Sequence, residues 1–163
     1  MNRKSILIAD DDEDIVASLS RRCTNMGLKV ATALTAFDAL MSIRTSLPDV
    51  VCLDVNMPAG DGLSICQMLM SDQDSLNLPV IILTGKKDAA TVRRCHELKA
   101  HYVVKGGDVW GELEPLLREI LMMPTASPAI PVPPVPEEVA AFASLAAVSH
   151  FVETPHFSNT ESY

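Results

Sequence analysis

Along the first 123 residues the hydrophobic pattern alternates between two periods. Short, largely apolar runs stand at Ser5–Ala9, Leu28–Ala33, Val50–Leu53, Pro79–Leu83 and His101–Val104. Runs of this length bounded by turn residues read as strands covered on both faces, as in a parallel sheet. Between them, apolar residues recur at helical spacing. From Asp12 to Met26 they are Ile15, Val16, Leu19, Cys23 and Met26. A helix capped by Thr35 and running to about Ser46 is predicted to offer Phe37, Leu40, Met41 and Ile43 as its apolar side. Gly62 to Ser71 carries Leu63, Cys66, Met68 and Leu69, and a helix opened by Asp88 carries Val92, Cys95 and Leu98. The last helix, capped by Asp108 and running to about Met122, carries Trp110, Leu113, Leu116, Leu117, Ile120 and Leu121.

The punctuation agrees with this reading. Gly27 suits the position just past a helix end, and Pro48 stops the second helix. Met57-Pro58 reads as a loop former, and Gly60-Asp61-Gly62 as a turn shaped by Asp61. Asp12 and Asp14 read as helix-start charges, and Pro115 as a kink or a late start in the last helix. Strand and helix alternate five times with short connections. That implies an α/β fold, a doubly wound five-stranded parallel sheet with helices on both faces and right-handed crossovers. The domain is predicted to span 1–123. Residues 124–136 hold six prolines and read as an extended linker. In the tail, 137–163, residues 137–153 allow one short apolar helix, and 154–163 read as disordered.

Composition narrows the function. The net charge is −8 at pH 7, and no Lys or Arg follows Arg118. A polyanionic nucleic-acid backbone is therefore not expected as a direct partner. Cys23, Cys52, Cys66 and Cys95 form no C-x-x-C pair and read as reduced, structural thiols. The N-terminal apolar run is too short for a signal sequence or a membrane span, so a soluble, cytoplasmic protein is expected.

The strand ends carry the chemistry. In a parallel sheet all carboxyl ends lie along one edge, where open α/β sheets build their sites. Asp10 and Asp11 end the first strand, Asp54 the third, Thr84 the fourth, and Lys105 follows the fifth. Like charges about 4 Å apart cost roughly 4 kcal/mol per pair at an effective dielectric near 20. A hard divalent cation relieves that, and oxygen-rich sites suit Mg²⁺. Acids, metal, hydroxyl and lysine together can hold a phosphoryl group against an aspartate.

In order, Asp10-Asp11, Asp54 in LDVNMPAGDG, Thr84-Gly85 and Tyr102-Val103-Val104-Lys105 resemble the receiver domains of two-component response regulators. The resemblance covers about residues 4–122. It implies the flavodoxin-like (βα)5 arrangement with strand order 2-1-3-4-5. It also implies that Asp54 accepts a phosphoryl group from a phosphohistidine, on a histidine kinase or histidine phosphotransfer protein. Asp11 and Asp54 would ligate Mg²⁺ by side chain, Asn56 by its backbone carbonyl, and Asp10 would support the metal. Lys105 would pair with a phosphoryl oxygen and Thr84 hydrogen-bond another, while Tyr102 would turn inward as Thr84 moves. Such a protein is a phosphoacceptor rather than an enzyme with turnover.

One departure stands beside the match. Receivers usually follow the lysine with proline, often in a cis peptide, whereas Gly106-Gly107 follow Lys105 here. The loop is therefore expected to be trans and freer. Lys86, two residues past Thr84, is placed to influence water access to an acyl phosphate. His96 and His101 read as surface or packing residues. The expected output is a switched protein-binding surface over 88–122, met by a downstream partner or by a second copy in a homodimer. No output domain is seen in the chain, which reads as a receiver with an accessory tail able to fold onto the switching face. Two alternatives remain. One is a receiver-like binding module that is not phosphorylated. The other is an aspartate-nucleophile phosphatase of the haloacid dehalogenase type, with Asp10 as nucleophile and Asp12 as acid.

Overall fold

The computed structural model describes residues 3–85 and 89–123 of the 163-residue chain. The predicted linker 124–136 and tail 137–163, together with Lys86 and the helix-opening Asp88, lie outside the described residues. The strands are β1 (Ser5–Ala9), β2 (Lys29–Ala33), β3 (Val50–Asp54), β4 (Asn56–Met57), β5 (Gly60–Asp61), β6 (Val80–Thr84) and β7 (His101–Val104). The helices are α1 (Glu13–Asn25), α2 (Ala36–Ser46), α3 (Gly62–Ser71), α4 (Ala89–Glu97) and α5 (Val109–Ile120).

Local side chains start four of the helices where the pattern predicts. Asp12 Oδ1 accepts from the Asp14 and Ile15 N–H groups, and Thr35 Oγ1 accepts from Asp38 N–H. Asp61 accepts from Ser64 and Asp108 from Gly111 in the same way. Each bond satisfies an amide that the helix itself leaves open. Pro115 sits inside α5 without ending it.

The main sheet is parallel throughout, in the order β2-β1-β3-β6-β7. Leaving aside β4 and β5, this is the 2-1-3-4-5 order. Alternate residues of the central strands serve two layers. Leu7, Ala9, Val51, Leu53 and Ile82 face α2, α3 and α4, while Ile6, Ile8, Cys52, Ile81 and Leu83 face α1 and α5. The four cysteines are free and buried, two in each layer. Burial pushes the Cys23 thiol up to about 12 and the Cys66 thiol up to about 11, so both stay protonated and inert at neutral pH.

Three expectations need correction. Phe37 and Met41 do not belong to the buried side of α2; they are 64% and 48% exposed. The face toward the sheet is Ala36, Ala39 and Ile43. The cause is the close approach of the helix start to the β4–β5 hairpin. The Ala36 N–H bonds the Pro58 carbonyl at 3.3 Å, and a Cβ at Gly60 would lie 3.0 Å from Ala36 Cβ. Only a small side chain fits there. Met68, predicted on the apolar side of α3, is likewise exposed, because Ile65, Cys66 and Leu69 fill that layer. Met57, read as loop, pairs with Gly60 in a two-residue antiparallel ladder and is buried.

The helix C-termini supply a test. After α1, Gly27 takes φ +90°, its N–H bonds the Thr24 carbonyl, and the Leu28 N–H bonds the Cys23 carbonyl. After α4, Lys99 holds the same position with φ +50°. A left-handed backbone costs an L residue roughly 1–2 kcal/mol and glycine almost nothing. A Cβ at Gly27 meets no atom within 4 Å, so strain alone acts there. Gly27→Ala should lower stability by about 1 kcal/mol, and Lys99→Gly should raise it by up to about 1 kcal/mol, as read from urea midpoints at constant slope.

Candidate functional site

The predicted site residues gather at the carboxyl edge of the sheet. β1 and β3 are adjacent, so Asp10, just past β1, and Asp54, the last residue of β3, meet side by side. Asp10 is fully buried, and Asp54 is 3% exposed. Asp11 is exposed at the mouth. β6 and β7 bring the other half. Thr84 ends β6, is buried, and accepts the Lys105 N–H on its carbonyl at 2.7 Å. That bond extends the β6–β7 ladder by one residue and anchors Lys105 against Thr84.

Lys105 is the centre of the charge arrangement. Its Nζ lies 2.6 Å from Asp10 Oδ2 and 2.9 Å from Asp54 Oδ1. One ammonium thus joins two neighbouring carboxylates. Burial pushes the Asp54 carboxyl above the usual range; Lys105 opposes that, and the charges of Asp10 and Asp11 add to it. For Lys105, burial alone would lower the pKa. The hydrogen bonds and charges of Asp10 and Asp54 outweigh it, so the ammonium is held above its ordinary 10.5.

The glycine pair after Lys105 leaves the lysine anchored. No cis peptide occurs among the described residues, and the Gly106 N–H closes a three-residue turn onto the Val104 carbonyl at 2.9 Å. Tyr102, half-buried on β7, packs against the layer under α2, α3 and α4, with its ring edge-to-face on His96 at 6.5 Å. His96 and His101 are both exposed. Asn56 lies on β4, two residues past Asp54. Asp12, read as a helix-start charge, caps α1, and Asp61, read as shaping a turn, also caps α3.

The acid cluster fits a hard divalent cation. Asp10, Asp11 and Asp54 each offer an oxygen within 4.8 Å of the others. Asp10 Oδ2 is fully buried, with the Lys105 ammonium 2.6 Å away, so a second cation there would meet an oxygen already shielded from water. An all-oxygen, multiply anionic set of this kind suits Mg²⁺.

Gly62 is a contributor that sequence reasoning placed only in a turn. A Cβ there would lie 2.3 Å from the Asp54 carbonyl oxygen, and the Gly62 N–H bonds the Val55 carbonyl at 3.2 Å. The start of α3 therefore lies directly on the backbone of the acceptor residue. A glycine at a fixed distance after an aspartate was the only signal available.

Substitutions at three positions test this geometry. Gly62→Ala should cost roughly 1–3 kcal/mol and displace Asp54, because backbone and not a flexible side chain must move. Gly106→Ala, with nothing nearer than 4.0 Å, should stay within about 0.5 kcal/mol of the parent. Lys105→Met should cost about 3 kcal/mol at pH 7, since it leaves two buried carboxylates without their cation. Adding Asp54→Asn should recover part of that loss. The Lys105 pKa is raised on folding, so its contribution is complete below 10.5 and is lost as pH rises through the higher folded value. Denaturation followed from pH 7 to 11 should therefore show the parent and Lys105→Met converging in alkali.

Comparison with known proteins places this arrangement. The response regulator receiver domain family matches residues 6–107. The probable transcriptional regulator ycf27 of Cyanophora paradoxa is 38% identical over 122 residues, 74% of this chain and 49% of that protein. The transcriptional regulatory protein PrrA of Mycobacterium bovis is 40% identical over 82 residues, 50% of this chain and 34% of that one. The chain thus spans about half the length, or less, of these curated relatives. Among solved structures, the receiver domain of a DNA-binding response regulator from Colwellia psychrerythraea superposes with a TM-score of 0.68. It is 32% identical, and the match covers 73% of this chain and 98% of that one. With sheet order, acid cluster and anchored lysine all in place over the matched residues, the chain belongs to the response regulator receiver family.

Proposed function

We propose that this chain accepts a phosphoryl group on Asp54 from the phosphohistidine of a histidine kinase or histidine phosphotransfer protein, in a Mg²⁺-dependent transfer, and thereby switches a protein-binding surface. The observation that carries the reading is the setting of Asp54. It is a buried carboxylate at a strand end, held by Lys105 and flanked by Asp10 and Asp11. In the transfer the donor P–N bond breaks, an Asp54 O–P bond forms, and the released imidazole keeps or takes up its proton from water.

Each residue has a part. Asp54 supplies the attacking oxygen. Lys105 moves from the carboxylates to the incoming phosphoryl oxygens, whose negative charge exceeds what Asp54 alone presents. Thr84 offers its hydroxyl to another phosphoryl oxygen, and its backbone tie to Lys105 keeps the two groups in step. Asp11, Asp54 and the Asn56 carbonyl would hold Mg²⁺, with Asp10 supporting. When bound, the metal would supply charge neutralisation for the transfer.

The acyl phosphate adds about −1.5 to −2 charges at the crevice. Thr84 and Lys105 border β6 and β7, and Tyr102 lies on β7, so the added charge biases the α4–β7–α5 side between two packings. Moving such a balance from 1:99 to 99:1 takes about 5.5 kcal/mol of differential interaction, within reach of a few charge-assisted contacts. A downstream protein reads the change. With net charge −8, the chain itself makes no direct nucleic-acid contact. No helix among the described residues is long and apolar enough to cross a membrane.

Intact mass after incubation with acetyl phosphate and Mg²⁺ tests the reading. The parent should gain one phosphoryl group. The gain should be absent with EDTA, absent in Asp54→Ala, and reduced at least tenfold in rate in Lys105→Met. A folded, Mg²⁺-binding parent that gains nothing would sink the proposal.

A further inference from the structure

The described residues leave large apolar side chains exposed almost solely in one region. Leu34, Phe37, Met41, Leu47, Met68 and Leu76 belong to α2, α3 and the loops beside them, and Met122 is the remaining one. A groove of about 470 Å³ runs between α2 and α3, lined among others by Leu40, Arg44, Leu47, Met68 and Asp72. Exposed apolar surface concentrated in this way marks an interaction site. We propose that the α2–α3 face binds a second copy of this chain, packed antiparallel across a two-fold axis that passes near Met41.

Charge selects that occupant and that orientation. A two-fold contact requires a patch that complements itself. Asp38 and Arg44 stand three residues before and three after Met41, on opposite flanks of the exposed stripe. An antiparallel copy crossing at Met41 brings each Arg44 within reach of the other copy's Asp38, giving two ion pairs from one helix. A parallel copy would oppose Asp38 to Asp38 and Arg44 to Arg44. Arg44 makes no ion pair among the described residues.

The apolar residues obey the same symmetry. Phe37 lies about 40° from Met41 around α2, on the flank that carries Arg44 and Leu47 and faces α3. The two-fold carries each Phe37 to the mouth of the other copy's groove, where its ring meets Leu47, Met68 and the Arg44 guanidinium. Met41 and Met68 add side chains that adapt to an imperfect fit. Six exposed apolar side chains around one helix pair suit a weak, concentration-dependent dimer rather than a permanent one. α2 packs on β1 and β2, and β2 and β7 are opposite edges of the sheet. The second copy therefore leaves the α4–β7–α5 side free.

Sedimentation velocity of the full chain over a concentration series should approach twice the monomer mass. Phe37→Asp and Met41→Glu, both at exposed positions, should stay monomeric while keeping the parent's circular dichroism and phosphoryl uptake. Asp38→Arg alone should also be monomeric, and the double exchange Asp38→Arg with Arg44→Asp should restore the dimer. The native thiols are buried, so Met41→Cys should give a covalent dimer on mild oxidation. A chain that stays monomeric at every concentration overturns the proposal and leaves the face to a different protein. So does a dimer that survives Phe37→Asp and Met41→Glu, or one that Arg93→Glu on α4 dissolves instead.

Discussion

One lysine between two buried carboxylates is the constraint around which the site is arranged. Asp10 and Asp54 are carried to the same point by adjacent parallel strands, and both are almost wholly buried there. Their charges are tolerable because Lys105 touches both. Lys105 can do so because its own amide continues the β6–β7 ladder onto Thr84. The sheet thus positions an acid pair, its counter-charge and a hydroxyl with backbone bonds, and long side chains finish the geometry. Such a crevice is poised rather than satisfied, since Asp54 remains harder to ionise than an ordinary carboxyl. Any ligand that brings matched charge is favoured by relieving it.

The neighbourhood of Asp54 is equally constrained from the α3 side. Gly62 lets the helix start rest on the Asp54 carbonyl, and the β4–β5 hairpin closes the connection in two residue pairs. The same hairpin presses on Ala36 and sets how closely α2 lies on the sheet. A single local device therefore fixes the acceptor backbone and, at a distance, decides which stripe of α2 is left facing outward. The acceptor loop and the apolar α2–α3 face are consequences of the same packing.

The replacement of proline by glycine after Lys105 has a limited effect on the resting geometry. Lys105 is anchored before the glycines begin, by its own N–H, and the turn is closed by the Gly106 N–H, a donor proline lacks. The freedom the glycines add lies downstream, toward α5, rather than at the ammonium.

By itself the sequence determined the alternation of strand and helix, the caps Thr35 and Asp108, and the set of groups at the carboxyl edge. These are local properties. Continuous apolar runs, capping side chains at fixed offsets and acids at strand ends all act within a few residues of their cause. The family resemblance carried by Asp10-Asp11, Asp54, Thr84 and Lys105 was legible for the same reason. Tertiary structure decided the rest. α2 has two apolar stripes of similar strength, one of Phe37 and Met41 and one of Ala36, Ala39 and Ile43, and periodicity cannot rank them. The choice fell to the stripe small enough to sit against the hairpin. Likewise no spacing rule says that Gly62 rests on Asp54, or that Lys105 joins two carboxylates. Those contacts arise only when strands far apart in the chain become neighbours in the sheet.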